Sequence, residues 1–470
     1  METGVACLLV FLVMAVLMYS RKLSALLALP LMALAIALIA RIPPNDIVGK
    51  VLGEGALKLN ATYTTTMFGA MLAELLNKQG IAKSLVRWVA EFAGDNPFLL
   101  GIVLTLTTAV LFSTLGGLGA VIMVGTIVLP VMLSLGIGNV TAGSLFLFGI
   151  SLGGMFNIAS WALYIGVLGI QQADIIAFVV PFALMVSLII LCLLAVELRS
   201  WKNWKYVAIS LLVLAGAALA LYAGHNHGSA QAQAAAAHIN RRSVVLFGAL
   251  LAVLALNAIR RHLKDEKLNP GLALVTPLVP LVLVLFFHWD FIPAFMAGIT
   301  YGALITWKKN SINVLTRSII DGINTVIPAV CLMMGIGMLI NAVAHEAVKK
   351  SMAPLLAAVI PVHAVPYVIL FTIFAPLALY RGPLSLWGMG SGLVALVQRS
   401  TTLASQAIMG MLMSVGQIQG VCDPTNTHNI WIATYLGTDT QVLLRKTLPY
   451  AWTAVICGLS LAVYFGYVPF

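Results

Sequence analysis

Apolar residues run along the chain in long stretches separated by short polar or charged intervals. The stretches fall at 3–19, 23–40, 60–77, 97–112, 117–136, 140–170, 174–196, 204–223, 243–258, 271–287, 290–307, 321–344, 366–380, 384–398, 404–437 and 443–466. A hydrocarbon core takes about 20 residues of helix, so the pattern predicts a bundle of membrane-crossing helices. Not every stretch is a simple crossing. Two pairs are joined with almost no polar loop, at Ser113-Thr114-Leu115-Gly116-Gly117 and at Tyr380-Arg381-Gly382-Pro383, which predicts re-entrant hairpins. Two others are too long for one straight span and carry polar breaks, Asn157-Ile158-Ala159-Ser160 in one and Asp423-Pro424-Thr425-Asn426-Thr427-His428-Asn429 in the other.

The same order recurs. Met71-Leu72 to Lys83-Ser84 pairs with Met338-Leu339 to Lys350-Ser351, Gly117 to Gly125 with Gly382 to Gly390, and Leu168-Gly169 followed by Pro181 with Leu436-Gly437 followed by Pro449. The reading is an all-α polytopic membrane protein of two inverted repeats. Each has five transmembrane helices, one of them broken, and one re-entrant hairpin. The first repeat takes 1–197, with scaffold helices in 1–78 and the hairpin and broken helix in 97–197. Two inserted helices occupy 198–269 around a linker at 224–242. The second repeat takes 270–470, with scaffold helices in 270–345 and the hairpin and broken helix in 366–470. About 12 spans result, and the odd number of crossings before the second repeat is what inverts it.

Composition agrees: 61% of the 470 residues are apolar and 9% charged, against roughly a quarter charged in soluble domains. The formal net charge of +11 records orientation. With both termini extracytoplasmic, the cytoplasmic loops collect 17 of the 26 Lys and Arg and the outer loops eight, so no nucleic-acid partner is expected. Arg381 belongs to neither side. The five cysteines lack CxxC spacing, so no metal site, cofactor or disulfide framework is expected. The first apolar stretch follows Glu2 without a basic leader, so a cleavable signal peptide is not expected either. The segment from His225 to His238 reads as a solvated linker, since three histidines without a scaffold define no coordination geometry.

Backbone that is not helical is tolerated at membrane depth only when buried in protein or lining a cavity. The two tips and two breaks are therefore expected to meet at one hydrated centre, where half-helix N-termini face an anion and C-termini a cation. Gly116, Gly117 and Gly119 at the first tip and Gly382 at the second allow close approach of backbone to ligand. Arg381 can hold a carboxylate bidentately; a salt bridge to Asp423, or a shallow hairpin, would satisfy it equally. Asp423 can carry a proton and His428 titrates near neutrality, which makes them candidates for proton coupling. Ser113, Thr114, Asn157 and Ser160 are neutral oxygen groups suited to substrate hydroxyls or Na⁺, or to bonds with their own helices. Thr425, Asn426 and Thr427 complete the candidate substrate set. Glu74 and Asp321 read as interfacial, and Thr62, Thr64, Thr65 and Thr66 as packing.

Re-entrant hairpins followed by broken helices, twice and inverted, resemble the ion transporter superfamily. Ala378-Leu379-Tyr380-Arg381-Gly382-Pro383, then Gly390-Ser391-Gly392, and the polar run ending Asn429-Ile430-Trp431 are similar to the gluconate permease branch, with the citrate–proton symporters close behind. The Ser-Asn-Thr tips of sodium-coupled dicarboxylate members are missing. The resemblance implies secondary active transport of a small organic anion, a carboxylate such as a hydroxy or sugar acid, in symport with a proton by an elevator motion. It also implies a homodimer in the cell's inner (plasma) membrane and no enzymatic activity. Na⁺ coupling and cation–proton antiport on the same fold are the alternatives; a membrane-embedded enzyme would need an acid pair or a catalytic cluster that the sequence lacks.

Overall fold

The apolar stretches fold as helices whose ends fall at the polar intervals. The computed structural model describes residues 2–20, 22–198, 204–225, 243–257, 260, 270–308, 310–357, 360–382, 384–386, 390, 394, 397–398 and 401–469. Among the described residues there are helices and no strand. The first half holds α1 (Glu2–Tyr19), α2 (Ala25–Ile39), α3 (Asn60–Lys78), α4 (Ile81–Ala93), α5 (Pro97–Phe112), α6 (Gly117–Ser134), α7 (Asn139–Met155), α8 (Ile158–Leu168) and α9 (Gln172–Glu197). Two helices follow, α10 (Trp204–His225) and α11 (Ser243–Asn257). The second half holds α12 (Leu278–Phe287), α13 (Phe291–Ile305), α14 (Ser311–Ala344), α15 (Glu346–Ala357), α16 (Ala364–Phe374), α17 (Ser405–Cys422), α18 (Thr427–Tyr435) and α19 (Thr440–Tyr464).

Among the described residues four helices are long and apolar enough to cross a membrane: α6, α9, α14 and α19. A fifth span arises if α7 and α8, bent by 53° at their junction, count as one. The other apolar helices are shorter, because turns and polar breaks cut stretches that hydropathy alone reads as continuous. The His225 to His238 linker, Pro383, Ser391 and Gly392 lie outside the described residues or, for His225, the described side chains.

Elements of the two halves follow in the same order at nearly constant spacing. Helices α5 and α16 begin at residues 97 and 364, 267 apart; α9 and α19 begin at 172 and 440, 268 apart. Packing repeats as well. A Cβ on Gly55 would lie 2.7 Å from the Cα of Met338, and one on Gly322 would lie 2.8 Å from the Cα of Met71. Gly55 and Gly322 are 267 apart in sequence, as are Met71 and Met338. A close glycine-on-backbone contact thus occurs at both places. The missing Cβ atoms let the segment before α3 and the helix α14 approach backbone to backbone.

The match is not complete. Helix α14 runs unbroken for 34 residues, whereas the residues leading into α3, 267 positions earlier, are interrupted by a π-helix at Ile47–Glu54. π-Turns leave backbone groups misaligned with their usual partners, and Asn341 on α14 donates its Nδ2 to the Lys50 carbonyl there at 2.8 Å. Ion pairs mark both ends of this crossing. Lys78 pairs with Asp321, and His345 stands 3.7 Å from Asp46, which also binds Lys50 at 3.0 Å. The hydrogen bond from Lys50 holds Asp46 below the usual carboxylate range.

Candidate functional site

The first break lies at Phe156-Asn157, between α7 and α8. Asn157 caps α8: its Oδ1 accepts from the amides of Ala159 and Ser160 at 3.1 and 3.3 Å. Its Nδ2 donates to the carbonyls of Phe112 and Leu115 at 3.2 and 3.1 Å. Those carbonyls belong to the end of α5, where the hairpin turns, so one side chain ties the first tip to the first break. Trp161, fully buried, donates Nε1 to the Met155 carbonyl at 2.7 Å and satisfies the last turn of α7.

At the tip, the Ser113 and Thr114 hydroxyls are buried and donate to carbonyls of their own helix, Val110 at 2.7 Å and Leu111 at 3.2 Å. Their hydrogens are spent locally; only oxygen lone pairs remain for a ligand. Gly116 and Gly117 are exposed, with no neighbour within 4 Å of a Cβ on Gly116. Gly117 has φ +80°, which a side chain would strain. Ser160 is half-buried on the first turn of α8. A cavity of about 20 Å³, room for one water, separates Gly116 and Gly119 from Glu74, Asn77 and Thr325 on the facing helices. Thr62 bridges α3 to α8 by donating to the Ala162 carbonyl at 3.0 Å, and Thr64, Thr65 and Thr66 each bond the carbonyl four residues back.

The second break is built by a different set of side chains. Helix α17 ends at Cys422, leaving its last carbonyls without helical partners. Asn426 Nδ2 donates to the Gln419 carbonyl at 2.7 Å and Asn429 Nδ2 to that of Val421 at 2.9 Å. His428 Nε2 stands 3.1 Å from the Gly420 carbonyl. A carbonyl only accepts, so Nε2 is the donor in this bond. Three residues of the polar run thus satisfy three successive carbonyls. Asp423 is completely buried and its Oδ1 accepts from the amide and hydroxyl of Thr425 at 2.9 and 2.6 Å. Thr427, exposed, opens α18. No side chain of Asn426 caps α18, in contrast to Asn157 on α8.

In the second hairpin, α16 passes into a 3₁₀-helix at Ala375–Arg381. Arg381 ends that turn; its side chain lies outside the described residues. A Cβ on Gly382 would meet the Leu377 carbonyl oxygen at 2.1 Å, so the glycine expected to admit ligand is demanded by its own turn. Ser385, buried, donates to Gln419 Oε1 at 2.8 Å and joins this hairpin to α17.

The two junctions connect through one further bond. Ser151 on α7 donates to Gln417 Oε1 on α17 at 2.8 Å. Each residue lies six positions before its break, about 9 Å of helix, so the breaks flank the bridge. The two tip-to-break junctions are thus joined by a part-buried polar bridge. Gln417, Gln419, Ser151, Ser385 and Asn429 were not among the sequence candidates. Two amides spaced by one residue, Gln417-Ile418-Gln419, inside an otherwise apolar stretch were the signal. Among the described residues no group of three or more His, Cys, Asp or Glu could hold a metal.

The same fold occurs in a solved transporter. The chain matches the crystal structure of the YdaH transporter of Alcanivorax borkumensis with a TM-score of 0.54, over 92% of this chain and 91% of that one, at 14% sequence identity. At that identity the likeness shows a common fold. No family model matches the sequence, and no curated protein does.

Proposed function

We propose that the protein is a secondary active transporter that carries a small organic anion, a carboxylate, in symport with a proton across the cell's inner membrane. The observation that carries this reading is the unequal treatment of the two half-helix N-termini. Asn157 fills the N-terminus of α8 with its own side chain, whereas α18 starts without a side-chain cap beside the buried Asp423. A positive dipole end that its own N-cap side chain does not fill suits an anion. YdaH is a transporter, and its likeness to this chain supports transport here by analogy of fold.

In this reading the chain forms two inverted repeats with about 12 spans and both termini extracytoplasmic, as in the ion transporter superfamily it resembles. The Gly55–Met338 and Gly322–Met71 contacts support the repeat. Arg381 clamps the carboxylate, with Gly382, Thr425 and Thr427 beside it. Ser113, Thr114, Gly116, Gly117 and Ser160 line the first-tip side, and Asn157 and Asn426 shape the site through the backbone groups they hold. Asp423 and His428 exchange the proton. The tips and broken helices move as an elevator against a scaffold of the first three helices of each half, α1, α2 and α3 with α12, α13 and α14, in a homodimer.

Uptake of labelled organic acids into proteoliposomes tests the proposal. A pH gradient, acid outside, should drive accumulation of one carboxylate, and Arg381→Ala should abolish it while Arg381→Lys retains part. Uptake that needs a Na⁺ gradient and ignores pH would overturn the proton assignment. Normal uptake by Arg381→Ala would remove the clamp.

A further inference from the structure

We infer that Asn139 and Gln398 are positioning residues that fasten the two broken helices to each other, so that both breaks shift as one body. The starting point is the far end of each short half-helix. Helix α8 has 11 residues and α18 has nine. Each ends in Leu-Gly, at Leu168-Gly169 and Leu436-Gly437, with the glycine in the left-handed region at φ +68° and +64°. That turn leaves the leucine carbonyl pointing out of the helix, unpaired by its own backbone.

Both carbonyls are taken by an amide from the opposite half. Asn139 Nδ2 donates to Leu436 O at 2.9 Å, and Gln398 Nε2 donates to Leu168 O at 2.6 Å. The donors occupy comparable places. Asn139 is the first residue of α7, and Gln398 sits just ahead of α17, where its Nε2 also binds the hydroxyl of Ser405, the first residue of that helix, at 2.7 Å. The start of each broken helix therefore holds the end of the other. Ser151 and Gln417 join them midway. Three bonds in the order start-to-end, middle-to-middle and end-to-start make the two broken helices antiparallel neighbours.

Packing at the same junction is tight: a Cβ on Gly143 would fall 2.8 Å from Leu436 Cδ1 and 3.0 Å from Leu443 Cδ2. The choice of an amide is chemically apt. The C-terminal end of a helix is partially negative, so a carboxylate would be repelled, while a neutral N–H binds without bringing a charge into the bundle. Fastened at both ends, neither break can move alone. If the chain is the transporter proposed above, the anion-binding and proton-binding groups keep their spacing throughout the cycle; the fastening itself does not depend on that reading.

Hydrogen exchange of the full-length protein in lipid nanodiscs, without substrate, tests this. The segments read are 165–170 and 432–438. Asn139→Leu should speed exchange in 432–438 about tenfold, the equivalent of one net hydrogen bond, and also speed 165–170 by roughly threefold or more through the shared body. Gln398→Leu should give the mirror pattern. Asn139→Asp, nearly the same shape with its donor lost, serves if Asn139→Leu fails to fold, and Asn139→Gln should restore most protection. Loosening confined to the segment each side chain touches would reduce the pair to local caps and overturn the inference, as would unchanged exchange in both. Failure of every transport assay with this pattern intact would count against the proposed function alone.

Discussion

Replacing Asn157 by Asp separates the two jobs that this one side chain performs. The carboxylate keeps an oxygen for the amides of Ala159 and Ser160, and an anion at a helix N-terminus is stabilised by roughly 0.3–1 kcal/mol. It loses both N–H donations, to Phe112 O and Leu115 O. At about 1 kcal/mol net per bond, the tip loses on the order of 2 kcal/mol, and repulsion between the carboxylate and those two carbonyls adds to it. The expected result in hydrogen exchange at neutral pH is a rise of roughly 30-fold or more across 113–116, with the first turn of α8 as protected as before or better. Asn157→Ala should loosen both, since an unreplaced Asn cap costs about 1 kcal/mol. The reasoning fails if Asn157→Asp loosens the start of α8 as much as the tip, or leaves the tip unchanged.

Adjacent glycines give a second check by thermal melting: Gly153→Ala puts a Cβ 2.4 Å from the Ala109 carbonyl oxygen, a backbone atom with nowhere to go, and should lower the melting temperature by the equivalent of about 1–3 kcal/mol. Gly154→Ala meets nothing within 4 Å and should raise it, by up to about 1 kcal/mol of helix propensity. Ser151→Ala and Gln417→Leu, alone and together, should show a coupling of roughly 0.5–1.5 kcal/mol in a double-mutant cycle, and additive effects would deny the bridge. Asp46, whose carboxyl is held below its ordinary 3.8 by Lys50, stabilises the fold above that pH and loses its contribution as pH falls through the lowered value. Asp46→Asn should therefore melt slightly lower than the parent at neutral pH, and the difference should close below about pH 4.

Helices and breaks were legible because they follow from apolar length and from polar residues at depth, both local properties of the chain. The ends of the short half-helices were legible in Leu168-Gly169 and Leu436-Gly437, since those glycines occupy turns that demand them. What was hidden depends on partners distant in sequence. Asn157 read as a ligand group because a lone amide gives no hint of the two carbonyls on α5 that occupy it. Asn426 and His428 read as substrate and proton groups, yet each first satisfies a carbonyl at the end of α17. Gln417 and Gln419 were passed over as helix interior, and only the fold sets Ser151 and Ser385 against them. The π-helix at Ile47–Glu54 leaves no hydropathy signature at all.

The asymmetry of the two breaks bears on how many anions one chain can hold. The two broken helices supply two half-helix N-termini, and if both were open two anion sites would result. Asn157 and Asn426, 269 residues apart, stand at the two N-cap positions. The first turns its oxygen inward onto α8 and its nitrogen onto the tip. The second gives its nitrogen to Gln419 O and makes no cap bond to α18. One terminus is thereby capped by its own N-cap side chain, while the N-cap side chain of the other is spent on α17. The ionisable residues fall on the same side, Asp423 ahead of α18 and His428 in its first turn, and the candidate cation Arg381 belongs to the same half. Under the proposed function, charge recognition and proton exchange then share one break, and the first half contributes a rigid, neutral wall held by Asn157. A single anion per chain, bound next to the group that takes the proton, is the arrangement this division of roles favours, because binding the anion and charging its neighbour would each make the other easier.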